Sequence, residues 1–253
     1  MKALNFNKNT LRLVASLWAL AAVSSPLIAT EDFLSEEELY ENDVVEIVRG
    51  NDPFESINRV TFKFNDFLYR NLVEPIADGY TAVTPDPVEA GATNFFYNLR
   101  YPVRLVGNLL QGRLQGAWVE TGRFAINTTV GVVGIFTPAD SVEGFEPIPS
   151  EDVRQVLGAW GIGEGPYLVL PLLGPSNLRE LGGYLGDRAV NPFSQPFTVV
   201  DEWEWRTGYS ASSFVVGSPT LIGRYQQMKG SAIDPYSALK NAYIQYRRAA
   251  VEK

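Results

Sequence analysis

The chain has 253 residues, 45% of them apolar and 20% charged, and its 21 basic against 29 acidic side chains give a net charge of −8. It contains no histidine and no cysteine. Their absence excludes Ser-His-Asp and Cys-His catalysis, metal sites built on these two ligands, iron–sulfur clusters and disulfides. The acidic balance argues against a nucleic-acid partner, because binding to phosphates needs a positive surface.

Residues 1–29 have the layout of a secretory signal peptide. A positive start with Lys2, Lys8 and Arg12 is followed by the uncharged apolar run 13–23, then by small residues. This order is typical of an export signal. A retained membrane anchor is the alternative, but the apolar stretch is shorter than the roughly 20 residues that a spanning helix needs. We therefore expect cleavage and an exported protein.

Residues 30–50 carry much of the negative charge. Arg49 is their only basic residue, and the acidic ones are Glu31, Asp32, Glu36, Glu37, Glu38, Glu41, Asp43 and Glu46. We interpret this segment as a solvated acidic tether, with a docking strip for a basic partner as the alternative. The remaining residues, 51–253, are then the folded domain.

The first predicted element of this domain is an amphipathic helix. Asp52 has the position of an N-cap, and Pro53 has that of the first helical residue. Apolar residues then recur at spacings of three and four: Ile57, Val60, Phe64, Phe67, Leu68 and Leu72. This spacing predicts a helix with one apolar face that ends before Pro75.

Further helical patterns follow along the chain. A helix is predicted after Pro87, a short apolar piece over 103–110, a helix from about Arg113, and a last helix that opens at Asp234-Pro235. No long segment alternates apolar and polar residues in the way that would demand a β-sheet. The sequence therefore predicts a mainly α domain.

Two segments have an unusual content of glycine and proline. Residues 128–136 lack charge and have glycines spaced for close packing, and residues 157–175 are rich in both residue types, with Glu164 as the only charge. Such backbone leaves polar groups that water, protein or a cavity must satisfy. Both interpretations stay open: ordinary buried loops, or irregular backbone that lines an amphipathic passage.

A series of short motifs resembles the MlaA (VacJ) family of outer-membrane phospholipid-transport proteins. In order, these motifs lie at 52–59 (DPxExxNR), 94–99 (NFxxNL), 110–112 (LQG), 123–131 (RFxxNTTxG), 151–158, 163–167 (GxGPY), 170–171, 174–176 and 234–236. The match differs from the family pattern at Arg154, where the family's EDFGQTLG motif has glycine. A second departure is the missing cysteine to which a lipoprotein attaches its acyl chains.

The resemblance implies a single ring- or disc-shaped helical domain with amphipathic helices in the lipid plane and a Gly/Pro-rich segment lining a channel. It implies retrograde phospholipid transport, in which misplaced phospholipid leaves the outer leaflet and passes to a periplasmic carrier. The implied partners are phospholipids, an outer-membrane porin trimer, a soluble MlaC-like carrier and the inner leaflet of the membrane. The implied location is the periplasmic face of the outer membrane, peripheral or periplasmic because the lipidated cysteine is missing.

Candidate site residues follow from these patterns. The lipid-channel candidates are Gly131, Gly134, Phe136, Gly163, Gly165, Pro166, Tyr167 and Leu170. Asn58, Arg59 and Arg123 are candidates for contacts with lipid phosphate or for structural polar contacts. Two aromatic groups, 95–101 and 203–209, fit a membrane belt or a protein core.

No pattern indicates covalent chemistry. The carboxylates Asp201, Glu202 and Glu204 are interspersed with tryptophans, which favours an exposed polar face over acid–base catalysis or a calcium site. We expect no catalytic residues, no cofactor and no metal. A soluble periplasmic lipid-binding or scaffold protein is the alternative function.

Overall fold

The computed structural model describes residues 52–194, 202–230 and 232–252, so the predicted signal peptide and acidic tether lie outside the described residues. The elements are α1 (Glu55–Leu68), α2 (Glu74–Val83), α3 (Asp86–Leu99), α4 (Tyr101–Leu110), α5 (Leu114–Thr129), α6 (Val153–Ala159), β1 (Tyr167–Leu170), β2 (Gly174–Asn177), α7 (Leu178–Val190), α8 (Trp203–Gly230) and α9 (Pro235–Glu252). The prediction of a mainly α domain is confirmed.

The first helix differs from its prediction at both ends. It continues through a π-helical turn at Tyr69–Val73 into α2, whose first turn contains Pro75. Proline is tolerated at this junction between π-helical and α-helical turns, since it has no N–H that needs a partner. At the other end the N-cap is Phe54, which makes no side-chain cap.

Asp52 was predicted to be that cap, and this prediction is wrong. Its carboxylate accepts hydrogen bonds from Asn58 Nδ2 at 2.8 Å, Tyr236 Oη at 2.6 Å and Lys240 Nζ at 3.1 Å. Burial opposes the charge, but these donors together lower the pKa of Asp52. Asp52 therefore joins α1 to α9 instead of capping a helix.

Three later helices were predicted and are confirmed as α3, α5 and α9, and the apolar piece 103–110 lies within α4. Helices α6, α7 and α8 were not predicted, because glycines, prolines and charges interrupt their apolar periodicity. An antiparallel pair of strands was not expected either. Tyr167 pairs with Asn177 and Leu170 with Gly174, so the Gly/Pro-rich segment is partly a hairpin rather than wholly irregular backbone.

Helix α1 buries its polar face and exposes its apolar face, the reverse of a helix in a water-soluble domain. In α1 the buried side chains are Asn58, Asn65 and Asp66, whereas Ile57 is 66% and Val60 69% exposed. In a helix of a soluble protein the apolar face is the buried one. The predicted apolar face thus exists, and it points outward.

The same inversion recurs in α7. Its buried residues include Arg179, Glu180 and Asp187, and Leu178 and Leu185 are 57% and 63% exposed. In the part of the chain that the structure describes, no helix combines the length and the apolar character needed to cross a bilayer.

Apolar packing is divided between two small clusters. The first joins the π-helical turn and α2 to α8 through Tyr69, Val73, Ala77, Phe214, Ile222 and Tyr225. The second joins β1 to α9 through Tyr167, Val169, Tyr236, Tyr243 and Ile244. Phe62 packs against both clusters and links them through α1.

Candidate functional site

A polar cleft lies where the junction of α3 and α4 meets α6 and α9. Its lining residues are Tyr97, Arg100, Val103, Arg104, Ser150, Glu151, Asp152, Arg154, Gln155 and Tyr246. The enclosed part of the cleft has a volume of about 20 Å³, enough for little more than a water molecule, and the cleft opens to solvent at its mouth. This lining combines three arginines with aromatic rings, which suits a ligand that carries both charge and apolar surface.

Two local features bring α6 against α4. Asp152 caps α6 in a reciprocal capping box, since its carboxylate accepts the Gln155 N–H at 2.7 Å and its own N–H donates to Gln155 Oε1 at 3.1 Å. On α4, a Cβ at Gly107 would lie 2.9 Å from the backbone of Glu151. Only glycine therefore allows this approach, which places Glu151 and Asp152 in the cleft wall.

A buried charge cluster supports the floor of the cleft. It consists of Asp152, Arg154, Arg179, Glu180, Asp187 and Arg247. Arg154 binds Asp152 at 2.6 Å and Asp187 at 3.0 Å, and Arg247 binds Glu180 at 2.8 Å. Three cations thus face three carboxylates, which is the balance that buried charges require.

Arg154 is the residue that replaces the family's glycine. It fits because α7 contributes Gly183, whose missing side chain leaves room for the Arg154 backbone and side chain. The departure from the family motif therefore adds a cation to the cleft wall without breaking α6.

The two aspartates that bind Arg154 have opposite pKa shifts. Burial opposes ionisation of Asp152, but Arg154 and Arg247 together hold the pKa of Asp152 well below its ordinary value. Burial, reinforced by the charge of Asp152, raises the pKa of Asp187 to about 7, although Arg154 acts against this. Asp187 is therefore the carboxylate of the cluster that titrates near neutral pH.

Two further ion pairs fix the cleft wall. Arg104 donates to Glu120 at 2.8 Å and to the Tyr97 carbonyl at 2.6 Å, and its guanidinium lies 3.7 Å from the centre of the Tyr97 ring. Glu151 accepts from Arg113 at 2.8 Å. These partners hold Arg104 and Glu151 in place.

The first set of channel candidates lies at the end of α5. A Cβ at Gly131 would clash with the carbonyl oxygens of Asn127 and Phe136, and one at Gly134, which has a φ of +90°, would clash with Asn98 of α3. Phe136 is 63% exposed. These glycines therefore allow close packing, and the phenylalanine projects from the loop.

The second set belongs to the hairpin. Gly163 is exposed with open space around it, whereas Gly165 has a φ of +71° and lies close to Leu178. Tyr167 is buried, and Pro166 and Leu170 are half-buried. Of this set, the residues of β1 pack on α1 and α9. The structure therefore places the two sets of channel candidates on different elements.

Buried asparagines of α1 bind the backbone of the hairpin, and the sequence did not reveal this. Asn58 Nδ2 donates to the Tyr167 carbonyl at 3.0 Å, and Asn58 Oδ1 accepts from the Val169 N–H at 2.8 Å. Asn65 binds the Leu170 carbonyl at 2.9 Å and the Leu172 N–H at 2.9 Å. The polar face of α1 thus takes the place of a neighbouring strand.

The polar candidates Arg59 and Arg123 also make contacts within the protein. Arg59 binds both carboxylate oxygens of Asp234, at 3.1 and 2.8 Å. Arg123 donates to Asp140 Oδ1 at 2.7 Å and to the Phe145 carbonyl at 2.6 Å. Like Asn58, both arginines join separate parts of the chain, in agreement with the alternative that they make structural polar contacts. The lipid-phosphate role of all three stays a prediction.

The aromatic groups divide between protein packing and the surface. Tyr101 stacks on Phe124 at 4.2 Å, and Phe96 lies 5.7 Å from Tyr209. Trp203 and Trp205 are 57% and 70% exposed. Glu202 and Glu204 are exposed as predicted, and Asp201 lies outside the described residues.

The geometry defines a class: mainly helical proteins with a polar, charged interior and an apolar exterior. The MlaA lipoprotein family model matches residues 50–250, and the chain belongs to that family. A Rickettsia felis protein is 32% identical over 79% of this chain and 78% of its own length.

Some of the relatives bear the name intermembrane phospholipid transport system lipoprotein MlaA. The Haemophilus influenzae protein is 28% identical over 81% of this chain and 80% of its own length. The Escherichia coli protein is 29% identical over 77% and 76%. A solved chain, from work on the structural basis for maintenance of bacterial outer membrane lipid asymmetry, matches at a TM-score of 0.66 and 26% identity, covering 79% of this chain and 99% of that one.

Proposed function

We propose that this chain is a component of intermembrane phospholipid transport that maintains the lipid asymmetry of the outer membrane. In this proposal it takes misplaced phospholipid from the outer leaflet and passes it toward the periplasm. The observation that carries the proposal is the inverted polarity of α1 and α7, which bury polar or charged side chains and expose large apolar ones. The names of the relatives support the same conclusion.

The apolar exterior is the surface that contacts lipid. It includes the outer face of α1, the loop after α5 and the start of α8: Ile57, Val60, Phe64, Phe67, Val130, Val132, Val133, Phe136, Trp203 and Trp205. A helix with one apolar face lies in the plane of the interface, held by its buried area. Each such side chain that enters the lipid gains about 1.5–3 kcal/mol, so a few of them suffice for attachment without an acyl chain.

The polar interior is the route for the headgroup. Moving a charged headgroup through an apolar medium is costly, and a wall of paired charges and hydrogen-bonding groups lowers this cost. The acyl chains meanwhile stay with apolar surface or lipid. Because this route needs no bond to break or form, the proposed function is transport and not catalysis.

Location and partners extend the proposal. The predicted export signal over 1–29 and the family support a location at the periplasmic face of the outer membrane. There a porin trimer is the proposed neighbour within the membrane, and a soluble MlaC-like carrier is the proposed acceptor of the lipid. Copurification from the outer membrane after crosslinking tests both partners.

Vesicle flotation tests the lipid-facing surface. The mature protein should float with phospholipid vesicles, and the double variant Phe64→Asp and Phe67→Asp should float poorly. Lys63→Asp is the matched control, because it lies exposed on the same helix and also changes the net charge by two units. It should float like the wild type.

Three results decide between the functions. A mature wild type that stays out of the vesicles would contradict the membrane assignment and favour a soluble lipid-binding or scaffold protein. Equal loss of flotation in the Lys63 control would assign the effect to charge rather than to apolar contact. Restoration of low outer-leaflet phospholipid in a transport-deficient strain, by the wild type and not by the double variant, would connect attachment to transport.

A further inference from the structure

Arg100 differs from the other charged residues of the polar cleft. Arg104 is paired with Glu120, Glu151 with Arg113, and Asp152 and Arg154 belong to the buried charge cluster. Among the residues that the structure describes, the Arg100 guanidinium has no hydrogen bond and no ion pair. It is the one lining cation of the described residues without a fixed anionic partner.

The position of Arg100 suits a ligand. The residue joins α3 to α4 and is half-buried, so its guanidinium lines the cleft but keeps access to it. Burial lowers the pKa of Arg100, and Arg154 and Arg104 act in the same direction, while Tyr209 and Asp187 oppose them. An arginine stays charged under such conditions, and an anion that binds beside it offsets the cost of that charge.

The balance of charges among the described residues around the cleft also leaves one cation without a carboxylate. The cleft and the structure behind it contain the arginines Arg100, Arg104, Arg113, Arg154, Arg179 and Arg247 and the carboxylates Glu120, Glu151, Asp152, Glu180 and Asp187. The arginines exceed the carboxylates by one. Below neutral pH the excess grows, because Asp187 is then protonated.

We propose that the phosphate of a phospholipid headgroup binds at the mouth of the polar cleft and that Arg100 is its principal ligand, an inference that rests on the proposed function. The planar guanidinium donates two parallel hydrogen bonds to phosphate oxygens. The half-buried rings of Tyr97 and Tyr246 also line the cleft, and they suit the glycerol and upper acyl carbons of a lipid. Free phosphate has no apolar part that could contact these rings.

Calorimetric titration of the purified chain in dodecyl maltoside tests the proposal. The probe is dihexanoyl phosphatidylglycerol, whose short chains keep it soluble. Arg100→Gln should weaken binding by about tenfold or more, and Arg100→Lys should keep most of it, because charge-assisted hydrogen bonds are the stronger ones. The matched control is Arg70→Gln, which removes an exposed arginine whose partner Asp66 retains Lys229, and it should bind like the wild type.

Two further titrations identify the group that is bound. Dihexanoylglycerol lacks phosphate and should bind the wild type and Arg100→Gln equally. Inorganic phosphate should bind the wild type much more weakly than the lipid does. Free phosphate that binds as tightly as the lipid would overturn the headgroup assignment, and equal lipid affinity of Arg100→Gln and the wild type would overturn the role of Arg100.

Folding and membrane attachment are measured in parallel. Because Arg100 has no partner among the described residues, Arg100→Gln should unfold at a temperature no lower than the wild type. The lipid should raise the unfolding temperature of the wild type and of Arg100→Lys, but not that of Arg100→Gln. Arg100→Gln should still float with vesicles. Loss of flotation by the wild type contradicts the proposed function alone, whereas unchanged lipid binding by Arg100→Gln contradicts this inference alone.

Discussion

Asn58→Leu tests whether the polar interior is essential to the fold. In a water-soluble domain, an apolar residue at a buried helix position would add stability. Here the substitution leaves the Tyr167 carbonyl and the Val169 N–H of β1 without partners. Each orphaned buried group costs about 1–3 kcal/mol, and the added apolar area returns about 1–2 kcal/mol. We expect a net loss of about 2–3 kcal/mol in the free energy of unfolding.

Chemical denaturation in dodecyl maltoside, followed by helical ellipticity, measures this loss. Asn71→Leu is the matched control, since it is the same substitution at an exposed position of the adjoining π-helical turn, and it should change stability by less than about 0.5 kcal/mol. If Asn58→Leu is as stable as the wild type, the asparagine does not replace a neighbouring strand, and the argument for a polar interior loses its main support.

Three further predictions follow from the glycines and from Asp187. The pKa of Asp187 is raised to about 7, so this residue stabilises the fold below about pH 4 and loses that contribution as the pH rises toward 7. Between these pH values the unfolding temperature of Asp187→Asn should fall less than that of the wild type. If the unfolding temperatures of both proteins fall in parallel, the pKa of Asp187 is not raised. Gly165→Val should impair folding or transport, because Gly165 has a φ of +71°, whereas Gly163→Val should transport lipid normally; a defect in both variants would give Gly163 a role beyond its backbone. Gly131→Leu and Gly134→Leu should each cost about 1–3 kcal/mol or more by overpacking, and protein abundance measured beside outer-leaflet phospholipid checks this: a lipid defect larger than the loss of protein would favour a gating role for the loop.

The sequence predicted most helices because periodicity reports amphipathicity directly. It did not predict which face of α1 is buried, since spacing is the same whether the apolar face meets a protein core or lipid. The decisive facts are the contacts of Asn58 and Asn65 with β1, which join residues more than 100 positions apart. Such long-range pairing leaves no local pattern.

The polar cleft was missed for a related reason. Arg100 lies between α3 and α4 and Asp187 lies in α7, so nothing in the sequence indicates that they are close in space. Arg154 was the one available signal, because it departs from the family motif. The departure makes physical sense only once Gly183 and Asp187 of α7 lie beside it, so its partners had to come from the structure.

The buried charges divide into two kinds, and the division links stability to function. Removing one member of a buried pair leaves its partner uncompensated and costs several kcal/mol, so Asp152, Arg154 and Arg247 are bound to one another and are not free to follow a moving ligand. The Arg100 guanidinium has no ion-pair partner among the described residues. A transporter must release what it binds. One cation without an ion-pair partner, beside arginines that already pair with carboxylates, attracts a phosphate without forming a site that holds it too tightly. The ion pairs hold the wall of the cleft in place, and Arg100 is left to bind a ligand.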